Sequence, residues 1–92
     1  MSKSIMQPET PKQCYISGSR SNLDPHHCIH GSANRKLADK YGLWCWLRHD
    51  IHMRLHDKDK ELDKQLQKEA QEAFEKTHTR DEFRKIFGKS YL

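Results

Sequence analysis

The chain contains no valine, and its leucine, isoleucine and phenylalanine together number 16 of 92 residues. That is under about a fifth, close to the composition at which chains stay unfolded. Apolar burial alone is therefore a weak source of stability here, and chains of this size often add disulfides, a bound metal or a partner subunit to hold one domain together. The length excludes a multidomain enzyme. Cysteine is scarce: Cys14, Cys28 and Cys45 are odd in number, and their spacing fits no small secreted scaffold. This excludes an all-paired disulfide framework and points to a reducing compartment. Long apolar runs are also missing. The opening MSKSIMQPETPK has no apolar stretch to serve as a signal peptide, and no run approaches the roughly 18 apolar residues of a membrane span. The expectation is a cytoplasmic protein, neither exported by that route nor membrane-spanning.

What the sequence does have is charge and histidine. Seventeen Lys+Arg stand against 13 Asp+Glu, with seven His and a net charge of +4. This mild basic excess suits a polyanionic partner, and it is also common in ordinary soluble proteins. With so little apolar material, the histidines make a metal the first candidate for added stability.

Residues 1–12 are polar and hold Pro8 and Pro11, which predicts a flexible tail with no core to join, followed by one domain over residues 13–92. From Cys14 to Arg35 turn formers dominate, with His26-His27-Cys28-Ile29 as an extended piece between them. Leu37 to Tyr41 predicts a helical turn ending near Gly42, and Leu43 to Leu47 a short aromatic-rich strand. After Arg48 the period changes: Ile51, His52, Leu55 and His56 recur one turn apart, which places two imidazoles on one helix face. Asp59 to Lys76 carries Leu62, Leu66, Ala70, Ala73 and Phe74 on one stripe. Thr79 with Glu82 three residues on is a capping-box signature, opening a helix with Phe83, Ile86 and Phe87 inward and Gly88 at its end.

The order H-H (His26, His27), then Asn34, then H-x3-H (His52, His56) resembles the HNH nucleases, also called ββα-metal or His-Me finger nucleases. In that family a β-hairpin and a helix clasp one divalent metal. The resemblance runs from about Cys14 to Asp57. HHCIHGSANRKLADKYGLWCWL, together with the closing FGKSYL, extends it to small phage and prophage HNH proteins, some of whose relatives are described as recombination-associated nucleases. The fold it implies is α+β: a small ββα-metal hairpin–helix core with additional C-terminal helices. The function it implies is a metal-dependent DNA endonuclease, phage or prophage encoded and acting in the bacterial cytoplasm, leaving 5′-phosphate and 3′-hydroxyl ends.

Carried over by position, His27 matches the general base that takes a proton from water, a task suited to an imidazole titrating near neutrality. His26, His52 and His56 match the ligands of one divalent ion (Zn, Mn, Ni or Mg), and imidazole ligation favours the first three over Mg. Adjacent strand residues point to opposite faces, so His26 and His27 both reach one site only if the strand is irregular there, as Pro25 suggests. Asn34 matches the family's central Asn, whose amide braces its loop against the strand carrying the base. Arg20, Arg35, Lys36 and Lys40 flank the site and are candidate phosphate contacts, though a solvated basic face accounts for them nearly as well.

The departures are specific. Many HNH proteins carry a structural zinc knuckle, and here Cys14 remains while Ser17, Arg48 and Ile51 occupy the other ligand positions, so no second zinc is expected. His49 starts the same helix as His52, but seven residues from His56 is two turns, too far for a shared ion. His30 and His78 are read as surface residues, and Cys28 and Cys45 as small buried hydrophobes. Trp44 and Trp46 are a stacking platform for bases or part of the core, the latter favoured for at least one of them. The Leu62–Phe74 stripe is core or a homodimer seam. Two other functions stay open. One is an HNH-fold protein without cleavage that binds DNA or a host protein. The other is a zinc-stabilised module that needs the ligands but not His27.

Overall fold

The computed structural model describes residues 2–8 and 11–92. The order is β1 (Leu23–His27), α1 (Ser32–Tyr41), β2 (Trp44–Arg48), α2 (His49–Asp57), α3 (Lys60–Phe74) and α4 (Arg80–Phe87). Among the described residues it is α+β, with two antiparallel strands and four helices, matching the expected hairpin–helix core with additional helices.

The register pairs Leu23 with Arg48, Pro25 with Trp46, His26 with Cys45 and His27 with Trp44. Side chains alternate along each strand, so Asp24 and His26 share a face with Cys45 and Leu47, while Pro25 and His27 share the other with Trp44 and Trp46. Cys45 and Leu47 are fully buried, and α2 packs on both strands. The strand pairs residue for residue through Pro25, so the irregularity expected there is not what positions the two histidines. Pro lacks an amide hydrogen and is tolerated on this edge.

The core gathers Cys28, Ile29, Leu43, Leu47, Leu55, Leu66, Phe74, Phe83 and their neighbours. The α3 stripe faces inward, with Leu66, Ala70 and Phe74 fully buried, and this is why its apolar residues recur every three to four positions. Buried Gln71 ties the C-terminus to it: its Nε2 donates to Ser90 Oγ (2.9 Å), and its Oε1 accepts from the Tyr91 amide (2.7 Å). Thr79 caps α4 with the reciprocal Glu82 bond, and Gly88 closes that helix at φ 88°. His78, expected at the surface, is half-buried and stacks on Phe74 with centroids 4.3 Å apart.

The N-terminal segment has a core to join. The Ile5 amide donates to Gly42 O (2.9 Å), Trp44 Nε1 to Ser2 O (2.8 Å) and the Trp46 amide to Gln7 Oε1 (2.9 Å). Ser4 is buried, with its hydroxyl on the Trp44 carbonyl, and Met6 packs against the core. These contacts cover the Trp44 face of the hairpin, leaving Trp44 6% exposed, so Trp44 belongs to the interior and not to a stacking platform. Met1, Glu9 and Thr10, also within the expected tail, lie outside the described residues.

Candidate metal centre

Three elements bring the site together. β1 ends in His26 and His27, the turn after it carries His30, and α2 presents His52 and His56 one turn apart. The ligand-capable atoms of His26, His52 and His56 lie within 4.8 Å of one another. The Nε2 atoms of His52 and His56 are 3.0 Å apart, and the His26 ring sits edge-on to both, at centroid distances of 5.3 and 5.6 Å. The expected ligand set therefore converges.

Two observations test whether these donors fit a cation. His26 is 2% exposed, and its Nε2 is, among the described residues, the buried side-chain nitrogen or oxygen without a hydrogen-bond partner. A buried polar atom left unpaired costs about 1–3 kcal/mol, and a cation bound at this nitrogen would satisfy it. Burial and then the neighbouring imidazole of His52 push His26 down to about 3, so this ring is neutral near pH 7, the form that ligates a metal. Burial also lowers His56, with His52 and His30 adding to the effect.

Sequence reasoning missed Asp24. Its Oδ2 accepts from His52 Nδ1 at 3.0 Å and from His49 Nδ1 at 2.7 Å, and these two bonds hold its carboxyl below the usual range. With Nδ1–H committed to Asp24, the lone pair of His52 is on Nε2, facing His26 and His56. This carboxylate–imidazole pairing is the usual means of fixing a metal-binding ring. A signal existed in the sequence: Asp24 and His26 are two apart on a strand and so share a face. His49, as expected, is not part of the cluster, and it contributes by bonding Asp24.

Strand alternation turns His27 away from His26, and its Nε2 lies 3.1 Å from Asp39 Oδ1 of α1. The two rings nevertheless line one cavity of about 480 Å³, together with His30, Arg35, His52 and His56. His27 is outside the convergent trio and open to the same space.

Asn34 departs from expectation. It lies within α1, not in a loop, and its Nδ2 donates to Phe87 O at the end of α4 (3.4 Å), so it links two helices instead of bracing β1. Of the candidate phosphate contacts only Arg35 lines the cavity. Arg20, Lys36 and Lys40 are exposed elsewhere, with Lys40 Nζ 5.4 Å from the Tyr41 ring. His30 is exposed, as expected, and it borders the cluster, with its Nε2 2.6 Å from Asp63 Oδ1.

No family model, curated protein or solved structure matches the chain. Among the described residues, no helix is long and apolar enough to cross a membrane.

Proposed function

We propose that the protein is a metal-dependent DNA endonuclease of the HNH type, holding one divalent ion with His26, His52 and His56 and using His27 as general base. The observation that carries this reading is the division of labour among the four rings: three converge, one of them with an orphaned buried nitrogen, and the fourth opens to the same cavity without joining them.

When bound, the ion supplies positive charge beside the oxygens of a phosphodiester, which favours a nucleophile's attack and the departure of the 3′ oxygen. The chain's own residues do the rest. Donation of Nε2–H to Asp39 leaves the His27 lone pair on Nδ1, and that nitrogen takes the proton from the attacking water. Asp39 then stabilises the imidazolium that forms, since its carboxylate is already 3.1 Å from the ring. Arg35 contributes a fixed charge at the cavity wall for a phosphate oxygen. Asp24 keeps His52 in the tautomer that ligates.

One departure favours a second reading, an HNH-fold protein that binds DNA or a host protein without cutting: Asn34 does not support the strand carrying the base. Incubation of supercoiled plasmid with the protein and Mn, Mg, Ni or Zn separates the two. The nuclease reading predicts nicking that falls by about 10²–10⁴-fold in His27→Ala, the usual contribution of a general base, while metal uptake is kept. A metal-loaded, folded wild type that leaves plasmid intact supports the binder and overturns the nuclease.

A further inference from the structure

Beyond the trio, a second donor group touches His26. Ligand-capable atoms of His26, His30 and Asp63 also lie within 4.8 Å of one another. The His30 ring is edge-on to His26 at 5.8 Å and tilted against His56 at 6.4 Å between centroids. We propose that His30 is a fourth imidazole ligand of the same ion, fixed in that role by Asp63 of α3. The inference rests on reading His26, His52 and His56 as a cation seat.

Three features argue for it. First, the carboxylate pairing that marks His52 is repeated at His30. Nε2–H donates to Asp63 Oδ1 at 2.6 Å, which leaves the lone pair on Nδ1, and metal-binding histidines regularly hand their other ring N–H to a carboxylate. Second, His26 is common to both groups, and His30 lines the same cavity as His26, His52 and His56. A neutral imidazole has a single lone pair, so only one ion can sit against His26, and a ligand at His30 must join the ion of the trio. Third, four nitrogen donors satisfy the tetrahedral preference of zinc without help from solvent. An ordinary surface ion pair, worth about 0–1 kcal/mol, explains the His30–Asp63 bond alone. It does not explain why that pair lies against a histidine cluster, with His30 beside His26 and His56 on the wall of one cavity.

Two consequences follow. Ion binding fastens α3 to the hairpin through Asp63, so the metal stabilises the C-terminal helices as well as the ββα core. His30 would also be the most replaceable donor, since its side chain is 41% exposed.

The test measures Zn²⁺ affinity by competition with a chromophoric chelator, and the visible spectrum of the Co²⁺-loaded protein, for wild type, His30→Ala, His30→Gln, Asp63→Asn and His56→Ala. Loss of His30 is expected to weaken Zn²⁺ binding by about 10-fold or more and to shift the cobalt bands, with a smaller effect in Asp63→Asn. His30→Gln, which keeps a polar side chain, is expected to follow His30→Ala, and this controls for a folding defect. If both His30 variants keep the wild-type affinity and a superimposable cobalt spectrum while His56→Ala binds weakly, the fourth ligand is wrong and the three-histidine seat stands. If wild type takes up neither ion, both are wrong.

Discussion

At the scale of single residues, the site depends on which ring nitrogen carries a proton, and carboxylates decide that. Asp24 accepts from His52 Nδ1, so Asp24→Asn is expected to raise the Zn²⁺ dissociation constant by 10–100-fold or thereabouts, measured by isothermal titration. An unchanged constant would remove Asp24 from the account. His26 contributes to the pH behaviour of the metal-free protein, alongside His56 and the lowered carboxyls of Asp24, Asp50, Glu75 and Glu82. Its ring is pushed down to about 3 when folded, by burial first, against about 6.5 when unfolded. Between these values the unfolded chain binds the extra proton, so the contribution of His26 is fully present above about pH 6.5 and declines as pH falls toward 3. Acid unfolding followed by circular dichroism checks this: His26→Phe, which removes the titrating group, is expected to flatten the decline. The convergence of His26, His52 and His56 was legible in the sequence because one-turn spacing and a strand-end pair are local patterns. Asp63 was not, since only tertiary packing brings α3 to His30; His30 is exposed as expected, and its place beside the cluster was hidden for the same reason.

At the scale of elements, local chemistry explains most boundaries. The Thr79–Glu82 pattern is seen as a reciprocal cap. Thr79→Ala is expected to cost about 1 kcal/mol of stability, within a usual range of 0.5–2, measured by urea unfolding. The long third helix was readable from its stripe. The first helix was readable only in its second half, because Ser32 and Asn34 are turn formers that here sit in the opening turn of α1. The second strand is shifted by one residue because Arg48 pairs with Leu23, a constraint set by the partner strand. Docking of residues 2–8 was hidden because it relies on backbone and polar bonds to the tryptophan face, which leave no apolar period. Two glycines test it. Gly42 (φ 74°) and Gly18 (φ 77°) both have left-handed backbones, but an added Cβ at Gly42 would strike the Lys3 carbonyl, while at Gly18 it meets nothing within 4 Å. Gly42→Ala is therefore expected to lower the melting temperature more than Gly18→Ala. Equal losses would mean that residues 2–8 do not dock there.

At the scale of the whole molecule, a chain poor in apolar residues holds together by sharing each resource. Cys14 is buried in the core, with its sulfur accepting from the Ser17 amide at 3.4 Å, and Ile51 is buried beside the hairpin, so two of the positions tied to a zinc knuckle contribute to packing. Cys28 and Cys45 are fully buried with their sulfurs 3.9 Å apart, and the Cys28 thiol is pushed up by its bond to Cys45 and by burial, which keeps it protonated and inert. What remains to be stabilised is the polar centre, where His26 Nε2 has no partner. Native mass spectrometry of the Zn²⁺-reconstituted protein tests that claim most directly. The account predicts one ion per chain in wild type and in His27→Ala, and none in the double variant His52→Ala/His56→Ala. An ion retained by the double variant, or a wild-type chain that takes up none, would contradict it.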